Sequence, residues 1–126
     1  MKTEFYHFDR KTICILTDIN TGEKFYGEAN WDGTGEYNEK IGEGIAEIRA
    51  RINGLRTIRE ANRATAKTLE RTLIDMKQSK KYNPKSYEAK WLRRLIWEEN
   101  EAVKMVNDFI KSEKNNLKYY ISVRCK

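Results

Sequence analysis

Residues 41–76 read IGEGIAEIRARINGLRTIREANRATAKTLERTLIDM, with apolar side chains at Ile41, Ile45, Ile48, Ile52, Leu55, Ala66, Leu69, Leu73 and Met76. The steps alternate between four and three, which keeps these side chains on one seam of an α-helix. Unbroken, such a helix is roughly 50 Å long at 1.5 Å per residue. A helix of this length draws its stability from packing of its apolar stripe, so the rest of the chain is read as the supply of partners for that stripe. Gly42, Gly44 and Gly54 weaken it, each by roughly 1 kcal/mol relative to Ala. The seam nevertheless keeps its phase through Asn53-Gly54 to Leu55, which favours one helix, bent or loosened near Gly54, over two. Arg59 and Asn62 occupy seam positions. Either they fix the register of two helices by pairing with Glu98, Glu101 or Asp108, or the seam turns to solvent there and Ile58 takes over the packing.

The polar connection from Lys77 to Lys85 ends in Asn83-Pro84, and proline belongs in the first turn of a helix; Ser86 and Glu88 add start signals. A second helix is expected from Pro84 to Glu113, with Tyr87, Trp91, Leu95, Ala102, Val106, Phe109 and Ile110 as its apolar face. A short loop between two helices makes an antiparallel hairpin. Folding about Tyr82 sets Leu73 near Trp91, Leu69 near Leu95, Asn62 near Ala102 and Leu55 near Phe109. The second helix then stops short of Ile41 to Ile52. Leu117, Tyr119, Ile121 and Val123 alternate with Lys118, Tyr120, Ser122 and Arg124, which predicts a C-terminal strand to cover those turns.

At the N-terminus, Glu4 to Phe8 and Thr12 to Leu16 read as strands joined by a bend at Asp9, Arg10 and Lys11. Asp18 to Glu23 suits a type I turn with Gly22 in a glycine bulge, and Glu23 to Trp31 returns as a strand. Trp31 to Glu36 reads as a loop, and Asn38 as the N-cap of the long helix. The expected fold class is α+β: a small antiparallel sheet, made of the N-terminal hairpin strands and the C-terminal strand, packed on one end of a long antiparallel helical hairpin. One domain is expected over 1–126, with the sheet at 4–31 and 117–124 and the hairpin at 39–113.

The chain of 126 residues is large enough for a core without staples, and 39% hydrophobic with 11% aromatic residues is too apolar for disorder. Its mean hydropathy of -0.86 marks a polar surface. No apolar run approaches a membrane span and no charged-then-apolar leader opens the chain, so a cytoplasmic protein with no membrane contact is expected. Cys14 and Cys125 do not make a disulfide framework and read as buried free thiols. The net charge of +6 is unevenly spread: residues 1–48 carry -5, 49–94 carry +10 and 95–126 carry +1. Segregation of this kind bears on partners rather than fold.

Enzymatic patterns are scarce. The single histidine, His7, stands in an aromatic strand with no Cys/His/Asp cluster at ligand spacing. No glycine-rich phosphate loop is present, and Gly33, Gly35, Gly42 and Gly44 sit among acids that repel phosphate. Asp18, Glu23, Glu28 and the Glu88–Lys90 stretch could be assembled into a metal-dependent nuclease centre, but acids on an exposed hairpin are more often a solvated face. No cofactor or metal is expected. The strongest signal is basic: Arg56, Arg59, Arg63, Lys67 and Arg71 form a stripe at three and four spacing, and Lys77, Lys80, Lys81, Lys85, Lys90, Arg93 and Arg94 gather near Tyr82 and Tyr87. Cations with aromatics suit a phosphate backbone and exposed bases. The plain alternative is a solvated helix face, with Tyr87 and Trp91 in the core seam. A second candidate is an acidic docking face of Glu23, Glu28, Trp31, Asp32 and Glu36, with Phe25 and Tyr26 exposed beside it.

The run Thr12-Ile13-Cys14-Ile15-Leu16-Thr17-Asp18 with Thr21-Gly22-Glu23, and Asn83-Pro84-Lys85-Ser86-Tyr87-Glu88-Ala89-Lys90 with Leu92-Arg93-Arg94, resembles small proteins of Gram-positive bacteria and their phages. Some proteins of that size and origin are anti-CRISPR inhibitors. The resemblance implies a non-enzymatic protein that engages and inhibits a nucleic-acid-handling effector, and it assigns no residue a role. The expected partner is an effector nuclease or other nucleoprotein, bound by a monomer or homodimer. The alternative is an accessory protein that binds DNA or RNA directly through the basic hairpin, and a lesser one the small nuclease.

Overall fold

A computed structural model describes residues 1–31 and 38–124; the expected loop, Asp32 and Glu36 of the acidic face, and Cys125 lie outside the described residues. The elements in order are β1 (Lys2–Phe8), β2 (Lys11–Thr17), β3 (Lys24–Asn30), α1 (Glu39–Lys77) and α2 (Tyr87–Arg124). The fold is α+β: a three-stranded antiparallel sheet in the order β1-β2-β3, and two long helices forming a hairpin. The chain divides into two compact units, Met1–Arg56 with Phe109–Lys126, and Thr57–Asp108.

In the first unit both turns follow from backbone chemistry. Asp9 and Arg10 form a two-residue link with φ of 49° and 65°, the geometry whose twist matches paired strands. At the second turn Gly22 takes φ 76°, and its N–H donates to the Asp18 carbonyl at 2.7 Å, as the glycine at that position predicts. The sheet's inner face carries Cys14, Leu16, Phe25 and Ala29, which pack with Ala46 and Ala50 of α1. Phe25, expected on the surface, is therefore core. Gly27 lies between Phe25 and Ala29 on β3, where a Cβ would collide with the backbone of Ala46 and Ala50. Strand and helix thus meet backbone to backbone.

Asn38 caps α1 as expected, its side-chain oxygen accepting from the N–H groups of Lys40 and Ile41. The helix runs unbroken through Asn53-Gly54. The C-terminal strand does not exist: residues 117–124 are the last turns of α2, which extends far past Glu113. In this unit α2 itself covers the first turns of α1. Arg51 pairs with Glu113 at 3.3 Å, and Tyr120 lies over Gly44 with its hydroxyl donating to the Lys40 carbonyl at 3.4 Å. Ile110, Leu117 and Tyr120 continue the spacing of seven and three set by Val103 and Val106, so helical packing overrides the β-propensity of the Tyr119–Val123 run.

In the second unit the α1 seam is where the sequence puts it. Ala66 and Leu73 are buried, and Arg59, Asn62, Leu69 and Met76 half-buried. Arg59 stays in the seam and donates to Asn107 Oδ1 at 3.1 Å, in place of the acids expected opposite it, while Ile58 is exposed. The start of α2 differs. Pro84 sits in a turn before the helix, and Ser86 is the cap, its hydroxyl accepting from the Ala89 N–H at 3.2 Å. The buried face is Ala89, Leu92 and Val106, with Leu95, Ile96, Ala102 and Val103 half-buried, so Leu95, Ala102 and Val106 lie on it as expected; Tyr87 and Trp91 are exposed.

Candidate nucleic-acid interface

The second unit carries the basic positions in three groups. On α1, Arg63, Lys67 and Arg71 are exposed along one flank at helical spacing; Arg63 is tied to Glu60 at 2.8 Å, and Lys67 and Arg71 have no ion pair among the described residues. In the connection and the turn before it, Lys77, Lys80, Lys81 and Lys85 are exposed and likewise have no ion pair among the described residues. From Lys77 to Arg94, seven cations meet one carboxylate, Glu88.

Arg93 has a different role from the one expected. Its guanidinium donates to the Tyr82 hydroxyl at 3.4 Å and to the Pro84 carbonyl, so it clamps the connection onto α2. Tyr82 is half-buried as the other half of that clamp. Both shape the tip rather than offering a free group to a ligand. Arg94 is exposed and holds Glu98 at 3.1 Å, an i,i+4 pair that solvent and a stronger anion both weaken.

The third group is the outer face of α2. Tyr87, Trp91 and Trp97 are exposed by 76%, 52% and 63%. Lys90 lies three residues from Tyr87, and Arg94 three from both Trp91 and Trp97, so rings and cations alternate on neighbouring turns. Helical spacing alone assigns Tyr87 and Trp91 to the core seam, whereas the structure leaves both rings in solvent together with Trp97. The signal was present: α2 carries two apolar stripes, and Ala89, Leu92, Ile96, Val103, Val106 and Ile110 fit helical spacing as well as the aromatic set does. The residues buried in this unit are Ala66, Leu73, Ala89, Leu92 and Val106, all aliphatic, and the aromatic set lies on the opposite stripe of α2.

Arg56 belongs to the first unit, at the rim of a cavity beside β3. So does the acidic face. Glu23 and Glu28 are exposed and Trp31 is half-buried. Glu28 is paired with Lys11 at 3.1 Å, and that bond, followed by one from Asn30, holds its carboxyl below the ordinary range. Glu43 and Glu47, acidic neighbours on α1, contact His7 at 2.9 Å and Arg51 at 3.5 Å. Much of the acidity is thus matched locally. Among the described residues no group of three His, Cys, Asp or Glu side chains could hold a metal ion, and no helix is long and apolar enough to cross a membrane.

Comparison with protein-family models, with curated proteins and with solved structures finds no match for the chain.

Proposed function

We propose that the protein works by binding single-stranded nucleic acid, without chemistry of its own, through the tip and outer α2 face of the helical hairpin. The observation that carries this reading is the exposure of Tyr87, Trp91 and Trp97 among Lys90, Arg94 and the lysines of the connection. Three large rings left in water on one short stretch of helix call for a partner. A second copy of the same face is a poor one, because Lys90 and Arg94 would meet like charges. A nucleic acid strand satisfies both features: its phosphates neutralise the cations, and its unpaired bases stack on the rings at roughly 1–3 kcal/mol per base. A duplex keeps its bases stacked and offers the rings nothing.

The test is quenching of tryptophan fluorescence by single-stranded oligonucleotides. Saturable quenching is expected, with Trp91→Ala weakening binding about tenfold, which corresponds to roughly 1.4 kcal/mol. Unchanged affinity in that variant overturns the reading.

A second reading keeps the same face and adds a protein partner. The resemblance to small phage proteins supports an anti-CRISPR-like inhibitor acting in the cytoplasm, its cations lying in the nucleic-acid path of an effector nuclease. Exposed Glu23 would then meet a basic groove of that nuclease. Purified protein that binds no oligonucleotide but forms a stable complex with such a nuclease selects this reading over the first.

A further inference from the structure

We infer that the first unit holds a separate binding site for a nucleoside phosphate, in the cavity beside the edge strand β3. The cavity has a volume of about 630 Å³, and its wall is built from β2, β3, α1 and the late turns of α2. Sites for small molecules span roughly 300–1,000 Å³, so a nucleotide is of the right scale.

Its electrostatics call for an anion. Arg49, Arg56 and Lys114 line it, against one carboxylate, Glu28, which Lys11 and Asn30 already hold at 3.1 and 3.0 Å. Elsewhere in this unit Lys2, Lys11 and Arg51 each have a carboxylate within 3.5 Å. Arg56 and Lys114 have no hydrogen bond or ion pair among the described residues, and Arg49 bonds only a backbone carbonyl, that of Glu28 at 2.8 Å. Three cations gathered at one concavity repel each other, and a dianion bound between them relieves that repulsion. A guanidinium also presents paired N–H donors that match phosphate oxygens.

The remaining wall favours a planar apolar group next to the anion. Tyr26, more than half exposed, and the half-buried Leu117 line the same cavity, so an aromatic and an aliphatic residue stand beside the cations for a base. The obvious competitor is a peptide strand added to the free edge of β3. That edge is already closed: Asn53 donates to the Tyr26 carbonyl and Arg49 to that of Glu28, one helical turn apart on α1. A strand would have to break both bonds to pair there, whereas a nucleotide leaves them in place.

The experiment is calorimetric titration of the full chain with AMP, with inorganic phosphate and adenosine as separate probes. AMP is expected to bind saturably and at least tenfold more tightly than either part alone. Arg56→Gln and Lys114→Gln, both surface changes checked for folding by circular dichroism, should each weaken AMP about tenfold. Trp91→Ala should leave AMP binding unchanged, which keeps this site distinct from the hairpin face: either can fail without the other. Competition by a 5′-phosphorylated oligonucleotide, but not its unphosphorylated form, would identify a strand end as the source of the ligand, and absence of competition a free nucleotide. AMP binding no tighter than phosphate, or insensitive to both substitutions, overturns the inference.

Discussion

Replacing Gly27 with alanine should be among the most costly single-methyl additions to the sheet-bearing unit. The new Cβ would meet the carbonyl oxygen of Ala46 and the amide nitrogen and Cα of Ala50, all backbone atoms of α1. A side chain in the way can rotate, but a helix backbone cannot, so β3 must lift away from α1 and loosen the packing of Cys14, Leu16, Phe25 and Ala29. Overpacking costs roughly 1–3 kcal/mol, and this contact lies at the upper end. Against it stands the unfolded-state advantage of Ala over Gly, about 0.4–1 kcal/mol. The net loss is about 2 kcal/mol. At an unfolding entropy near 2.1 cal/mol/K per residue, that lowers the midpoint of a chain this size by roughly 8 °C. Differential scanning calorimetry reads it directly, with Gly54→Ala as the control. There the added Cβ meets only the Phe25 ring, at 3.3 Å, and the helix gains up to about 1 kcal/mol of propensity. If the two variants melt together, or Gly27→Ala melts above the wild type, the backbone-to-backbone contact is wrong.

Three further outcomes follow from particular side chains. Burial, with the Glu47 carboxylate adding to it, pushes the Cys14 thiol up from 9.0 to about 11, so in a Cys125→Ser background iodoacetamide at pH 8 should label the protein only on unfolding. Because the folded value exceeds the unfolded one, this group's contribution to stability is whole below pH 9 and lost between about 9 and 11, which denaturant titrations across that range should register. Arg59→Ala and Asn107→Ala should each cost about 1 kcal/mol, and the double variant clearly less than their sum; simple additivity would show that the bond between them contributes nothing. Backbone carbon chemical shifts over residues 117–124 should be helical throughout, and strand-like values would undo the account of how α2 covers the start of α1.

The sequence reveals the sheet and α1 because two independent signals agree there. The alternation of Thr12 to Leu16, the left-handed Gly22 and the Asn38 cap are local chemistry, and the α1 seam keeps one phase from Ile41 to Met76 despite Arg59. The far end of α2 was illegible for a physical reason. Tyr119, Tyr120, Ile121 and Val123 favour strands locally, and the contact that speaks for a helix there, Tyr120 against Gly44 and Lys40 of α1, is long-range. The same ambiguity hid the candidate interface. Tyr87 and Trp91 satisfy helical spacing as well as Ala89 and Leu92 do, and the choice between the stripes depends on how closely two helices approach. Basic residues near the tip were legible from composition alone, whereas the clamp made by Arg93 on Tyr82 and Pro84 was not, since it depends on the path of the connection.

The central claim is that the tip and outer face of the hairpin neutralise phosphates. Its most direct measure is the salt dependence of binding to a labelled single-stranded oligonucleotide, compared between the wild type and the variant K80Q/K81Q/K90Q/R94Q. Each phosphate neutralised on a single strand contributes about 0.7 to the steepness of log affinity against log salt. The wild type should weaken steeply with salt, and the variant should lose up to about 2.8 of that slope, the value for four contacts. Equal slopes in the two proteins, or a wild type indifferent to salt, would contradict the account.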